Sequence, residues 1–442
     1  MNADPCLAGG TTSLPACDCS LTCRLRARFP LFMHRYRGSA TTSPYRTDDG
    51  RTTVGRRLAA YAVLSHDSAV PAVAADYWTH SSPVYQRVLR AWAEAIGRDP
   101  SLSPAYRRLA EFPDDVAAEE SLASETDRVL DRLPVERRTL WMVLDRADDE
   151  VFIRYHRGGA FQAGAEAFEL KGLLERSRWG LREPAPAPDV HVVVTLRDTG
   201  QGDRVRNLLA CVSALRDQSL APGRYTVTVV ESDRPWWRHI VSPRVDQYIH
   251  LSAKGFFNKS WAMNAGVRHG PVAPVLCLLD ADILADRRFL ERNLERFADP
   301  SHDAHLPHTE MLSLDPSASN RAIERRCVGG GPSTGLDEMR GLLLRDVPGA
   351  CLWVRSPIFQ RIGGFDERFE GWGGEDDDIL VRLTSMSSVA QYDDVLVHLA
   401  HRRPAMSLPD GRPFNAGIPI GTWTGTGGFG ALTGPATEPE RR

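Results

Sequence analysis

The sequence predicts an α/β protein: a mostly parallel sheet with helices on both faces, preceded by an all-α N-terminal module. From residue 189 onward, short apolar runs alternate with amphipathic segments, which is typical of strands alternating with helices. Between residues 56 and 183, apolar residues instead recur at three- and four-residue spacing, which favours helices. A chain of 442 residues is also long for one core, so two domains with tails are expected.

Composition and charge favour a globular enzyme over a nucleic-acid or membrane protein. Apolar residues make up 42% of the chain, charged residues 25%, and the net charge is -3, so there is no basic field for a nucleic acid. No apolar run approaches the roughly 20 residues that span a bilayer. The N-terminus lacks the basic start and apolar run of a secretory signal. These features predict a cytoplasmic protein with no integral membrane segment.

The first segment, 1–55, is rich in Ser, Thr, Gly, Pro and Arg, and is predicted to be a disordered tail. It contains four crowded cysteines, whose spacing matches no paired CxxC pattern: Cys6, Cys17, Cys19 and Cys23. They could hold a metal, but disorder is favoured because no apolar pattern surrounds them. The other four cysteines are scattered, as expected of reduced thiols.

Segment 56–183 is predicted to be a helical N-terminal module whose role the sequence does not disclose. Four helices are expected, at Arg57–Leu64, Val84–Ile96, Ala117–Leu133 and Glu136–Leu144. The Pro-Ala-Pro-Ala-Pro stretch at 184–188 is a stiff linker and predicts a domain boundary. The second domain is expected at 189–405, followed by a Gly/Pro-rich tail at 406–442.

The second domain begins with four predicted parallel strands, at Val190–Leu196, Tyr225–Val230, Gln247–Leu251 and Val275–Leu279. In such sheets, ligands bind beyond the carboxyl ends of the strands. Polar residues follow three of these strands at that point: Arg197, Asp198, Glu231, Asp233, Asp280 and Asp282. The sequence therefore predicts a polar site at this edge.

The pair Asp280-Ala-Asp282 follows an apolar strand, and its two carboxylates share a side if the backbone stays extended. Carboxylate oxygens suit Mg²⁺ or Mn²⁺ bridging a diphosphate. An Asp-x-Asp pair alone is weak evidence, because such pairs also occur in solvated turns. Its position after a buried strand favours function.

The stretch Gly371-Trp-Gly-Gly-Glu-Asp-Asp-Asp378 places four acids in a row before a helical pattern. One or two of them would be explained by a helix start, where acids favour the positive end of the dipole. Four like charges repel one another, and such crowding raises a carboxylate pKa, which suits a general base. A functional role is therefore favoured.

Two further groups join these candidates. His398 and His401 follow an apolar run at i and i+3, which makes them possible metal ligands beside an acid pair. Asn258 and Lys259 stand at the start of a predicted helix, where they could offer donors to a phosphate or ribose.

With these motifs in order, the segment from about 189 to 401 resembles the inverting GT-A fold glycosyltransferases, whose sheet is Rossmann-like. It is most similar to the β-1,4-galactosyltransferase-like group and the related bacterial family 2 enzymes. The Gly371–Asp378 acid stretch carries the most specific part of this resemblance. Three other motifs agree, namely Phe257–Gly266, Asp280-Ala-Asp282 and Gly349–Trp353.

The resemblance implies roles for individual residues. Asp282, His401 and His398 would bind Mn²⁺ (or Mg²⁺). The donor, expected to be a UDP-sugar, would be bound by a set of residues around it: Arg197, Glu231, Asp233, Asn258, Lys259, Asp280 and Trp372. Asp376 would be the general base and Glu375 would hold the acceptor hydroxyl. The implied reaction moves a hexose or N-acetylhexosamine to a carbohydrate or other hydroxyl acceptor, in bacterial glycan or glycosylated-metabolite biosynthesis.

The stretch Glu324–Arg345 departs from that family's pattern, so galactose need not be the donor sugar. Its glycines, from Gly329 to Gly335, suggest a lid that orders on donor binding. Two alternatives stay open. One is a catalytically dead sugar-nucleotide-binding scaffold, and the other is a nucleotidyltransferase, which shares a similar sheet and an acid-bound metal.

Overall fold

The structure, a computed structural model, describes residues 52–165, 167–180, 185–426 and 428–433. Most of the predicted tail 1–55, with its four cysteines, lies outside these residues, as does the first proline of the 184–188 linker. Helix α1 begins at Val54, inside the segment assigned to the tail.

The N-terminal module folds into helices as predicted. In chain order these are α1 (Val54–His66), α2 (Ala69–Val73), α3 (Ala75–Ile96), α4 (Pro104–Glu111), α5 (Val116–Leu130) and α6 (Pro134–Glu150). Capping side chains fix where three of them start: Thr53 accepts from the amide of Arg56, Ser103 from that of Ala105, and Asp115 from that of Ala118. Tyr85 and Trp92 are buried between the helices.

The module is not entirely helical, so the all-α prediction is wrong for its last part. Strand β1 (Ile153–Arg157) pairs antiparallel with β8 (Arg340–Arg345). These belong to a four-stranded sheet of order β1-β8-β7-β11, with β7 at Glu310–Leu314 and β11 at Leu396–His398. Helix α5 is tied to β1 by an ion pair of 2.9 Å between Arg157 Nε and Glu119 Oε2.

The predicted α/β class with a mostly parallel sheet is confirmed in the second part of the chain. Seven strands follow the order β10-β6-β9-β5-β2-β3-β4. Their bounds are β2 Val190–Leu196, β3 Tyr225–Ser232, β4 Gln247–Leu251, β5 Val275–Asp280, β6 Ala304–Leu306, β9 Cys351–Arg355 and β10 Val389–Gln391. Strands β5, β2, β3 and β4 are mutually parallel, whereas β9 runs antiparallel to β5 and β6.

Helices cover both faces of this sheet. The helices of this part of the chain are α7 (Leu170–Arg176), α8 (Asp203–Arg216), α9 (Arg238–Val241), α10 (Lys259–His269), α11 (Phe289–Glu295), α12 (Pro316–Ile323), α13 (Ser356–Arg361) and α14 (Glu375–Met386). On one face, a Cβ on Gly266 of α10 would come within 2.4 Å of Val193 Cγ1, so only glycine allows this approach. On the other face, Val192 shares an apolar core with Leu208 of α8.

The glycine-rich segment from Gly329 to Gly335 is the one predicted to order as a lid on donor binding. Arg326, which precedes it, is buried and donates to the carbonyls of Ala214 and Asp217, at the carboxyl end of α8. The candidate site lies at the opposite end of this helix, where α8 begins. In this structure, therefore, the segment lies away from the candidate site.

The described residues form one unit around the two sheets. All described residues belong to the unit Ser43–Arg442, so the 184–188 linker does not separate the module from the sheets. The described part of the 406–442 tail is packed as well: Trp261 Nε1 donates to the carbonyl of Ala431 at 2.6 Å, and Trp423 Nε1 to that of Gly363 at 2.7 Å. Within the described ranges, every helix is too short or too polar to cross a bilayer.

Candidate functional site

A turn after β5 is joined to the end of β11, and this places the predicted metal ligands together. The amide of Leu399 donates to the carbonyl of Asp282 at 2.8 Å, and that of Leu284 to the carbonyl of Val397 at 2.9 Å. An isolated antiparallel bridge also pairs Ile283 with His398. The carboxyl ends of two strands from different sheets therefore meet at Asp282.

Asp282, His398 and His401 form a cluster whose potential ligand atoms all lie within 4.8 Å of one another. Asp282 Oδ2 is 2.9 Å from His401 Nε2, and Oδ1 is 3.3 Å from His398 Nε2. His401 Nδ1 lies 2.9 Å from the carbonyl oxygen of Arg402. Because a carbonyl can only accept, Nδ1 carries the proton in the neutral ring and the lone pair remains on Nε2.

The chemistry of this cluster fits a divalent cation. Among the described residues, Asp282 Oδ1 and His398 Nδ1 are buried without a hydrogen-bond partner, which is costly for polar atoms. Burial lowers the pKa of His398 to about 4, so its ring is neutral and can bind a metal at neutral pH. Burial acts to raise the pKa of Asp282, but the two histidines hold that pKa well below its usual range. One carboxylate and two imidazoles suit Mn²⁺ and similar ions.

Two arginines that the sequence reasoning missed lie beside this cluster. Arg204, at the start of α8, donates to the carbonyl of Arg402 at 3.2 Å, and Arg403 donates to Ser313 Oγ at 3.0 Å. The charge of Arg204 helps to lower the pKa of Asp282. In the sequence, the only indication of these arginines was that Arg403 stands two residues after His401. This positive charge suits an anionic ligand.

Lys259 connects the Asp280 end of β5 to the acid stretch. Its Nζ lies 2.9 Å from Asp280 Oδ1, 3.2 Å from Asp376 Oδ2 and 3.9 Å from Glu375 Oε1. Burial acts to lower the pKa of Lys259, but the three carboxylates raise it well above its ordinary value. The ammonium, predicted to approach a donor phosphate, is thus held among carboxylates in this structure.

The four acids of the stretch differ in their surroundings. Asp378 is fully buried and accepts from Arg382 at 2.6 and 2.8 Å and from the amide of Gly421, so it has a structural role. Burial and the charge of Asp376 raise the pKa of Glu375 to about 7. Burial likewise raises the pKa of Asp280 to about 6, although Lys259 opposes this. The crowding expected from the sequence is therefore present at the first two acids.

The residues predicted to bind the nucleotide lie at the ends of β2 and β3, but their side chains differ in exposure to solvent. Arg197 donates to the carbonyl of Gly255 at 2.8 Å and lies 3.5 Å from Asp233 Oδ2. Asp233 is partly exposed and has a left-handed φ of 82°, which is strained for a residue with a Cβ. These two side chains can reach a ligand.

Glu231 is fully buried and cannot line a pocket as predicted. It accepts hydrogen bonds from the amide of Trp237, at 3.2 Å, and from the Tyr248 hydroxyl. Burial raises the pKa of Glu231. Its role is to position two aromatic residues that the sequence reasoning missed.

The donor contact predicted for Asn258 is also not supported. Its Oδ1 accepts from the amide of Trp261 and caps α10, while its Nδ2 donates to the carbonyl of Glu367, both at 2.7 Å. Asn264 binds the same segment, donating to the carbonyl of Phe365 and to Glu367 Oε1, each at 2.9 Å. The two asparagines fix the chain that leads into the acid stretch.

Trp372 is 40% exposed at the tip of a loop that the C-terminal tail clamps. Asn415 Oδ1 accepts from the amide of Glu370 at 3.1 Å, and its Nδ2 donates to the carbonyl of Gly373 at 2.9 Å. A Cβ on Gly371 would lie 2.5 Å from Phe414, so the clamp closes tightly on the loop. Asn415 has a φ of 58°, which asparagine tolerates better than most residues.

Replacing Asn415 with glycine should loosen this loop without straining the backbone, because glycine adopts positive φ freely. Amide exchange in peptides covering 368–374 should accelerate about tenfold or more, as expected for the loss of two hydrogen bonds that each contribute about 1 kcal/mol. Hydrogen-exchange mass spectrometry gives the rate, with the β2 peptide as an internal control. Unchanged exchange in 368–374 would show that Asn415 does not hold the loop.

Glu375→Gln should change how stability depends on pH. Glu375 titrates near 4.5 when unfolded and at about 7 when folded, so its contribution to unfolding free energy falls as pH rises between those values. The glutamine variant should gain stability relative to wild type over this range, by on the order of 1 kcal/mol or more. Urea unfolding at several pH values measures this.

The matched control is Glu295→Gln, which alters an exposed carboxylate on α11. Because this side chain is exposed, its replacement should change the free energy of unfolding little. A stability difference between Glu375→Gln and wild type that does not vary with pH would disprove the proposed proton binding.

Sequence comparisons connect this site to known proteins. Residues 345–393, which include β9, the Trp372 loop and the acid stretch, match the family model described as the N-terminal domain of galactosyltransferase. A validoxylamine A glucosyltransferase of Streptomyces hygroscopicus subsp. limoneus is 29% identical over 230 residues, covering 45% of this chain and 50% of that protein. One from S. hygroscopicus subsp. jinggangensis (strain 5008) is 33% identical over 147 residues, covering 28% and 34%. The chain thus spans half or less of these relatives.

Solved structures give weaker likenesses. A mannosyltransferase, PcManGT from Pyrobaculum calidifontis, in complex with GDP-Man and Mn²⁺, has a TM-score of 0.34 at 17% identity, covering 52% of this chain and 62% of that one. TarS residues 1–349 from S. aureus have a TM-score of 0.35 at 10% identity, covering 48% and 60%. The sequence matches, in contrast, confirm the resemblance of this chain to glycosyltransferases.

Proposed function

We propose that the chain is an inverting, metal-dependent glycosyltransferase that moves a hexose or N-acetylhexosamine from a UDP-sugar to an acceptor hydroxyl. The observation that carries this proposal is the position of Lys259, which holds Asp280 and Asp376 within 3.3 Å of one ammonium. Asp280 is two residues from Asp282. The candidate metal cluster and the candidate base therefore border one site.

The relatives suggest the first substrates to test. Both curated relatives are named as validoxylamine A glucosyltransferases, so a glucosyl donor and validoxylamine A are the first donor and acceptor to try. Screening a panel of nucleotide sugars with Mn²⁺ or Mg²⁺ would then identify the preferred donor.

In the proposed site, Asp282, His398 and His401 would hold a divalent cation. Two nitrogen ligands favour Mn²⁺ over Mg²⁺, which prefers oxygen. When bound, the cation supplies positive charge that stabilises the departing nucleoside diphosphate. Arg204 and Arg403 would add charge for the same anion.

The chain's own residues perform the proton transfer. Lys259 stabilises the negative charge of Asp376. Asp376 accepts the proton of the acceptor hydroxyl while the oxygen of that hydroxyl bonds to the anomeric carbon. The bond from that carbon to the donor phosphate breaks, and its electron pair leaves with the nucleoside diphosphate. Attack opposite the leaving group inverts the configuration. Glu375, at the same helix start, would hold the acceptor hydroxyl.

Asp376→Asn should nearly abolish transfer, because the amide cannot accept the proton. The turnover number should fall by about 10²–10⁴, the usual contribution of a general base. Affinity for UDP with Mn²⁺ should stay close to that of wild type. Turnover is measured with UDP-glucose and validoxylamine A, and Asp410→Asn, on an exposed loop, serves as the control. An active Asp376→Asn enzyme would rule out this base.

Asp282→Ala should remove metal-dependent donor binding, since it deletes the one carboxylate in the cluster. Titration calorimetry with Mn²⁺ and UDP should show binding to wild type and to Asp410→Ala, but at least about tenfold weaker binding to Asp282→Ala. Thermal melting checks that the variant is folded. Equal Mn²⁺-dependent affinity for UDP in a folded Asp282→Ala would place the metal elsewhere.

A further inference from the structure

A cavity of about 250 Å³ lies between the helical module and the four-stranded sheet. On the module side it is lined by the end of α1, by α2 and by the turn at Pro113 and Asp114. On the sheet side it is lined by the ends of β7 and β8. This space is far larger than one water molecule needs and approaches the roughly 300 Å³ of the smallest ligand sites.

One end of the cavity reaches the candidate metal cluster. Ala400, His401 and Arg403 form part of its wall. His401 Nε2 is the atom that lies 2.9 Å from Asp282 Oδ2. A molecule in the cavity would therefore touch the residues that border the proposed sugar-transfer site.

The module also contacts the segment that leads to Gly349, which lies against the acid stretch. The Tyr77 hydroxyl, at the start of α3, donates to the carbonyl of Asp346 at 2.9 Å. Burial raises the pKa of Tyr77, and the charges of Asp346 and Asp377 add to this effect. Three residues after Asp346, Gly349 lies so close to Asp376 that a Cβ there would be 2.2 Å from its Oδ2. Residues 67–77 therefore extend from the His401 side of the site to the acid side.

The cavity wall combines apolar surface with charged groups. Val63, Ala72 and Val73 from the module face the sheet across the cavity, and Asp67 and Asp114 supply carboxylates. From the sheet side, Leu314, Leu342 and Arg340 contribute. Carboxylates accept from hydroxyl groups, whereas aliphatic side chains pack on the C–H faces of a ring. This mixture suits a polyhydroxylated ring compound.

We propose that this cavity is the acceptor site and that the helical module supplies one wall of it. The occupant is a polyhydroxylated ring of about the size of one saccharide unit, with the reacting hydroxyl directed toward the acid stretch. This inference rests on the proposed glycosyltransferase function and gives the module a role in it. The donor candidates Arg197 and Asp233 lie on the other sheet, at the ends of β2 and β3, which leaves this cavity for the acceptor.

Filling the cavity tests the proposal. Ala72 lies on α2 in the cavity wall and its side chain is exposed, so Ala72→Phe adds bulk without disturbing a packed core. Saturation-transfer NMR would measure binding of a panel of cyclitols, oligosaccharides and validoxylamine A to wild type in the presence of UDP and Mn²⁺. At least one compound should bind, and Ala72→Phe should weaken that binding about tenfold or more.

Two further variants provide a control and a second test of the cavity. Ala110→Phe changes an exposed alanine on α4 that does not line the cavity, and should bind like wild type. Asp67→Asn keeps the oxygen that accepts from the amide of Ala69 but removes the charge, and should weaken polyol binding. The proposal is overturned if no compound binds wild type, or if Ala72→Phe binds as well as Ala110→Phe.

A separate assay, hydrolysis of the nucleotide sugar, tests the proposed glycosyltransferase function. Metal-dependent hydrolysis of the nucleotide sugar needs no acceptor, so it should be present in wild type and unchanged in Ala110→Phe, which lies outside the cavity. Loss of hydrolysis and of UDP affinity in Ala72→Phe would show that the cavity serves the donor, which also contradicts the acceptor assignment. Absence of hydrolysis from every nucleotide sugar in wild type would instead count against the glycosyltransferase function itself.

Discussion

The contacts of Lys259 are the interaction on which the rest of the site depends. One ammonium, 15% exposed, lies among the carboxylates of Asp280, Asp376 and Glu375. Without it, three acids would crowd a buried space with no opposing charge, which is strongly unfavourable. Because these groups come from the start of α10, the end of β5 and the start of α14, one cation fixes the relative position of three elements. The contact of Lys259 with these carboxylates therefore fixes the distance between the proposed metal ligands and the proposed base.

Much of the surrounding sequence holds that contact in place. Asn258 and Asn264 bind the chain before the acid stretch, and Gly266 allows α10 to lie directly on the sheet. The carboxylate of Asp378 forms an ion pair with Arg382, and this pair fixes the first turn of α14. The acid stretch looks like a single ligand-binding motif, but some of its carboxylates are available for chemistry and others stabilise the fold. In this stretch, the acids that face Lys259 are the ones available for chemistry.

The sequence predicted the central sheet and the grouping of acids and histidines, but not the whole site. Strand β2 was predicted with its observed bounds because a fully buried parallel strand reads as a continuous apolar run. Strand β1 was missed because its alternating pattern, Ile-Arg-Tyr-His-Arg, is only five residues long, and its partner β8 is remote in sequence. Arg204 and Asn415 were missed for a similar reason: their partners are set by tertiary packing.

The position of β1 ties the helical module to the sheet that carries His398. Strand pairing runs from β1 through β8 and β7 to β11, which ends at His398. Arg154 of β1 pairs with Glu310 of β7, so charge as well as backbone bonding connects the module to this sheet. Removing β1 would leave the edge of β8 unpaired, and a free edge tends to shift or to pair elsewhere. The module therefore stabilises the strand that carries His398, in addition to lining the cavity next to His401.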